Sequence, residues 1–154
     1  MHWADTRVWD TILSTPAAQE HEKLKKTLHH YNLTQYAFYH IWMNLPMEFK
    51  KQEEFKTLSE MKNWVVNYHR LAGSFVLNLK EEDLNQVIHI PWAASLEKVL
   101  GQKPAESNLA DTMFQVISHS TYHRGQVNSL LRIAGVEPPM VDFIAWVWLG
   151  KPKV

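Results

Sequence analysis

Seven residues at helical spacing run through the segment between 109 and 135: Thr112, Val116, His119, His123, Val127, Leu130 and Ala134 fall within one narrow arc of a helical wheel. Leu109, Met113 and Leu131 flank it. A stripe of this kind has to be covered by other helices, and two imidazoles stand in the middle of it. His119 and His123 are four residues apart, an advance of about 400° round the helix, so their rings project from nearly the same line. Burying a ring nitrogen without a partner costs about 1–3 kcal/mol, so each ring must be hydrogen-bonded or bound to a metal. Spacing alone leaves both readings open.

The rest of the chain supplies the covering helices. Asp5–Leu13 is helical in pattern, with Val8, Ile12 and Leu13 apolar. Thr15-Pro16 then starts a second helix, expected to run to about Asn44, before Leu45-Pro46 disfavours continuation. Its stripe is Leu24, Leu28, Tyr31, Gln35, Phe38 and Trp42. A third helix is predicted over Leu58–Leu79, weakened in its middle by Gly73. The stretch from Lys80 to Asn108 breaks the pattern: Val87-Ile88-His89-Ile90 is short and β-prone, and Gly101-Gln102-Lys103-Pro104 reads as a turn. It is expected to be a long crossover carrying a small β-hairpin. The fourth helix opens near Ser107 or Asn108 and closes at Gly135; after Pro138-Pro139, Met140–Leu149 makes a short closing helix or an extended segment. The fold class is therefore all-α, a four-helix bundle in one domain spanning residues 1–154.

Bundles build metal sites from inward side chains on facing helices, so a third ligand is expected on the second helix, where His29 and His30 are adjacent. His29 shares its face with Glu22, Lys25, Lys26 and His40, a solvated side; His30 borders the apolar stripe beside Thr34, Ala37 and Ile41, which favours it. The chain has no cysteine, so any metal must use histidine, carboxylate, amide or water. His2, His21, His29, His40, His69 and His89 read as structural or surface residues. Ser120 stands where the zinc proteases carry the glutamate of His-Glu-x-x-His, so a built-in general base is missing. Gln126 lies on the side of the pair, where it could orient a bound water or substrate, or make an interhelical hydrogen bond. Arg124 points about 100° away from His123 and suits a carboxylate partner better than a metal. Gln126, Tyr122 and Arg124 are the neighbours expected to tune the site.

Acidic and basic residues balance at 16 each, which offers no basic surface for nucleic acid or anionic lipid. No apolar run is long enough for a membrane span, and Met1–Arg7 lacks the layout of a signal peptide. A cytoplasmic protein without nucleic-acid or membrane partners is the expectation.

The segment His119-Ser120-Thr121-Tyr122-His123-Arg124-Gly125-Gln126-Val127, with Leu130-Leu131, Gly135-Val136-Glu137-Pro138-Pro139 and Asp142-Phe143-Ile144 after it, resembles the signature and ending of the DinB/YfiT-like superfamily of metal-binding four-helix bundles. Upstream, Thr27-Leu28-His29-His30 with Gln35 and Phe38 is similar to the segment bearing that family's first histidine, in the register that selects His30. The resemblance implies a site of His30, His119 and His123 holding a divalent ion, zinc or nickel foremost and iron or manganese next, with open positions for water. It implies homodimers, and small-molecule substrates that in some members include low-molecular-weight thiols such as bacillithiol or mycothiol. One branch isomerises maleylpyruvate. The short first helix, the early Pro16 and the crossover depart from the family's layout.

Three neutral histidines leave an ion its full charge and an exchangeable position, the arrangement of a catalytic rather than a structural site. With no internal base, transfer of a thiol to a small electrophile fits better than hydrolysis, because a coordinated thiol is already deprotonated. A metal-dependent hydrolase, a non-catalytic metal-binding or stress-response bundle, and a module binding a small molecule or a partner through Trp146 and Trp148 are the alternative readings.

Overall fold

The computed structural model describes all residues, Met1–Val154. Four long helices form the body, with short elements between them. Helix α1 spans His2–Leu13 and is followed at once by the single turn α2, Pro16–Gln19. Helix α3 covers Glu22–Trp42 and α4 covers Leu58–Leu77. The crossover carries β1, Val87–Ile88, the turn α5, Glu97–Leu100, and β2, Ser107–Asn108. Helix α6, Leu109–Ile133, is the longest, and α7, Phe143–Trp148, closes the chain.

Helix α6 starts where the sequence says it should. Asn108 accepts from Asp111 N, while the Asp111 carboxylate accepts from Asn108 N, a reciprocal cap that satisfies two otherwise free donors. Gly135 ends it at φ 74°, a backbone state that costs a side-chain-bearing residue more. The helix expected from Pro16 to Asn44 is instead two pieces. It breaks at Glu20 and restarts with His21 as the cap, its Nδ1 accepting from Leu24 N at 3.4 Å. Helix α1 begins three residues earlier than predicted, at His2, because Trp3 and Ala4 bury against Ala145 of α7. Gly73 does not interrupt α4.

Helices α1, α4, α3 and α6 pack in that order round the bundle, and α3 against α6 is the most extensive pairing. These two run antiparallel, with Trp42 reaching Thr112 and Gln35 reaching Ser120. All four helices feed one core, which includes Val8, Trp9 and Ile12 of α1, Leu24, Leu28 and Tyr31 of α3, Met61 and Val65 of α4, and Val127 and Leu131 of α6. Each fully buried aliphatic side chain there contributes about 1.5–3 kcal/mol. In the crossover, β1 and β2 pair antiparallel with Val87 opposite Asn108, but a long excursion separates them, so the expected hairpin is a two-residue clasp. No helix is long and apolar enough to cross a membrane.

Candidate metal centre

The α6 stripe is buried where expected at Thr112, Val116, Val127 and Leu130, but its middle lies one step round from the expected line. Val116, Ser120, Arg124, Val127 and Leu131 are buried, whereas His119 and His123 are half-buried at the edge of the stripe. The shift has a physical cause. Asp5 of α1 is fully buried and draws the α6 polar side chains inward: Arg124 Nη1 donates to Asp5 Oδ1 at 2.8 Å, and Gln35 Nε2 donates to Asp5 Oδ2 at 3.1 Å and to Ser120 Oγ at 3.0 Å. His69 Nε2 of α4 lies 3.0 Å from Asp5 Oδ2. Burial alone pushes the Asp5 carboxyl up; His69 and Arg124 together outweigh it and hold the group below the usual carboxylate range.

Displaced to the edge, the two histidines meet a third. His30 of α3, His119 and His123 offer one ligand atom each, all within 4.8 Å of one another. The ring centroids are 4.3 Å apart for His119 and His123, 4.8 Å for His30 and His123, and 5.4 Å for His30 and His119. His119 Nε2 and His123 Nε2 approach to 3.1 Å. Two nitrogens on a single tetrahedral zinc, each bonded at about 2.0–2.1 Å, stand roughly 3.3 Å apart, so the pair is already spaced for a shared ion.

Protonation states fit the same picture. His123 Nδ1 lies 2.8 Å from Gln126 Oε1, which can only accept, so Nδ1 carries the proton and the Nε2 lone pair points at the other rings. Without an ion, His119 Nε2 must then donate to His123 Nε2, which leaves His119 Nδ1 buried and without a partner. An ion in place of that shared proton would take both Nε2 lone pairs and move the His119 proton to Nδ1, which stays buried and unpartnered in either state. Burial, with His123 and then His30 close by, pushes His119 down to about 4, and His30 is lowered by burial and by His123. Rings held neutral at pH 7 are the form a metal requires.

The remaining candidates divide. Gln126 orients the His123 ring through its Oε1. Tyr122 is exposed and stands edge-on to His123 with ring centroids 5.1 Å apart. Arg124 faces Asp5 and Thr121, away from the rings, as its angle on the helix suggested. His29 is occupied elsewhere, with Nε2 against Lys50 O at 3.0 Å and its ring over Trp64. Asp5 escaped the sequence reading, although it is in step with Val8, Trp9 and Ile12, while His69, read as structural or surface, is buried in step with Met61, Val65 and Ala72. A charged residue in step with an apolar stripe is the signal that finds such a pair.

No solved structure matches the chain. The protein named Protein DinB of Bacillus subtilis (strain 168) is 22% identical over a 171-residue alignment that covers 98% of this chain and 91% of the relative. The sequence profile of the DinB family matches residues 9–153, which take in the bundle from within α1 onward and the three-histidine cluster. On that match, the chain belongs to the DinB family.

Proposed function

We propose that this protein is a metal-dependent enzyme that uses His30, His119 and His123 to hold a divalent ion, zinc or nickel, and that it transfers a thiol to a small electrophile. The observation that carries the reading is the convergence of three imidazoles, one ligand atom from each lying within 4.8 Å of the others, at a solvent-accessible edge. Bound there, the ion supplies Lewis acidity and lowers the pKa of a coordinated thiol or water.

The chain's own residues favour the thiol. No carboxylate joins the three rings in the cluster. Ser120, at the position where a general base would sit, is buried and accepts from Gln35. A nucleophile that needs no further deprotonation suits such a site, whereas water attack on an ester or amide wants a base within reach. Gln126 holds the His123 tautomer, and the Asp5–Arg124 pair fixes α6 from behind.

Elemental analysis of untagged protein tests ligation; about one divalent ion per chain that survives dialysis and is lost in His119→Ala is the expected result. Thiol transfer is then tested with a panel of low-molecular-weight thiols against monochlorobimane, and a metal-loaded protein inert to all of them overturns the catalytic reading. We also infer a homodimer, with a second copy covering Phe143 and Trp148 of α7, which are 74% and 78% exposed. A monomeric mass by light scattering excludes it.

A further inference from the structure

The crossover between α4 and α6 builds a cavity against the edge of the α3–α6 pair that carries the three rings. Its volume is about 400 Å³, and its walls include Phe38 of α3, Trp92 and Leu96 of the crossover, and Thr112 and Gln115 of α6. Small-molecule sites occupy roughly 300–1,000 Å³. Trp92 stands edge-on to Phe38 with centroids 5.5 Å apart, which fixes the aromatic wall.

Two features set its chemistry. The Thr112 hydroxyl is fully engaged, accepting from Trp42 Nε1 at 3.0 Å and donating to Leu109 O at 2.8 Å, so it presents no free polar group. No lysine or arginine lines the cavity, so a phosphate or carboxylate would find no counter-charge there, and its one charged side chain, Asp111, is engaged in the helix cap, accepting from Asn108 N at 3.0 Å. An uncharged, apolar group is the complementary occupant.

Position links the cavity to the rings. Gln115 is one helical turn before His119, about 6 Å along α6, and Phe38 is two turns beyond His30, about 12 Å along α3. Because α3 and α6 are antiparallel, both steps lead the same way from the cluster. We propose that this cavity receives the apolar part of the substrate whose reacting group is held at His30, His119 and His123. The proposal rests on the metal reading above and adds what that reading lacks, a determinant of substrate choice.

Metal-anchored probes test it without any need for turnover. Acetohydroxamate and hexanohydroxamate share a metal-binding head and differ by four methylenes in the tail. Their affinities for the full, zinc-loaded chain are measured by calorimetry. A buried methylene is worth about 0.8 kcal/mol, about fourfold in affinity, so two methylenes in the cavity tighten binding at least about tenfold. Ala105→Phe, at an exposed lining position, fills the cavity, and Leu96→Ser, at a position 44% exposed, removes part of its wall. Both are expected to erase the tail's advantage while leaving acetohydroxamate affinity and zinc content unchanged. Should Ala105→Phe lose its helical circular dichroism, Leu96→Ser decides alone. Equal affinity of the two probes for the wild type, or a tail advantage untouched by the substitutions, overturns the proposal and leaves the metal reading standing. A wild-type chain that takes up no zinc, or that takes it up and binds neither probe, strikes the metal reading first and the proposal with it.

Discussion

Helix α6 serves two polar clusters on neighbouring lines of its surface, and they differ in what surrounds them. Ser120 and Arg124 face inward to Asp5, Gln35 and His69, where opposite charges pair and every helix of the bundle contributes a group. His119 and His123, one position away from each, face outward to His30, where three like groups converge and no carboxylate joins them. The inner cluster compensates its charges within itself and so ties helices together, although Gln35 Oε1 and His69 Nε2 find no hydrogen-bond partner there. The outer cluster gathers three nitrogen donors with no opposite charge to cancel them, a donor set that suits a divalent cation. Adjacent residues of one helix thus divide between tying the core together and lining an edge cluster, according to the partners they meet.

Substitution should separate the two roles. The largest effect is expected from His123→Ala, which should abolish metal retention, seen by elemental analysis after dialysis, while the metal-free form keeps its urea midpoint within about 1 kcal/mol of the wild type. Arg124→Met should do the reverse. It leaves Asp5 buried without its main counter-ion and should lower stability by about 3–5 kcal/mol in urea unfolding, yet its folded fraction should still take up metal. A loss of metal in Arg124→Met at temperatures where it stays folded would merge the clusters into one functional unit. Gln126→Ala should weaken metal affinity about 10–100-fold in a chelator competition, with little change in unfolding.

Acid provides a smaller, sharper contrast. The folded protein holds His119 at about 4, below the ordinary 6.5, so its neutral form is favoured on folding. Its contribution to stability is fully present above pH 6.5 and is lost as pH falls toward 4, because the unfolded chain binds the proton first. Asp5 is held below its ordinary 3.8, so its contribution survives through that window and disappears only at lower pH. Unfolding of the metal-free chain followed from pH 7 to 3 should show the first loss, and His119→Ala should flatten that part of the curve. An unchanged slope in the variant would mean that the imidazole carries no linkage.

Much of this was legible before any fold was known. The α6 cap at Asn108, its stop at Gly135 and the pairing of its stripe with that of α3 follow from local rules of capping and periodicity. So does the spacing of His119 and His123. His30 was preferred because it borders the apolar stripe, and the structure brings its ring to the other two. What stayed hidden depended on partners distant in the chain. The break at Glu20 reflects His21 capping a new helix, which no apolar spacing announces. The burial of Asp5 becomes meaningful only when Arg124, 119 residues away, arrives beside it.

The amino-acid order alone established an all-helical bundle, a pair of histidines on one helix line and the absence of a built-in base, since each is a property of residues a few positions apart. Tertiary packing decided that the histidine line is the edge of the core and the Ser120–Arg124 line its centre, because a buried Asp5 can be neutralised only from one side of α6. It also decided that the crossover walls a cavity beside the rings, for a segment with so little local order takes its shape from the surface it covers.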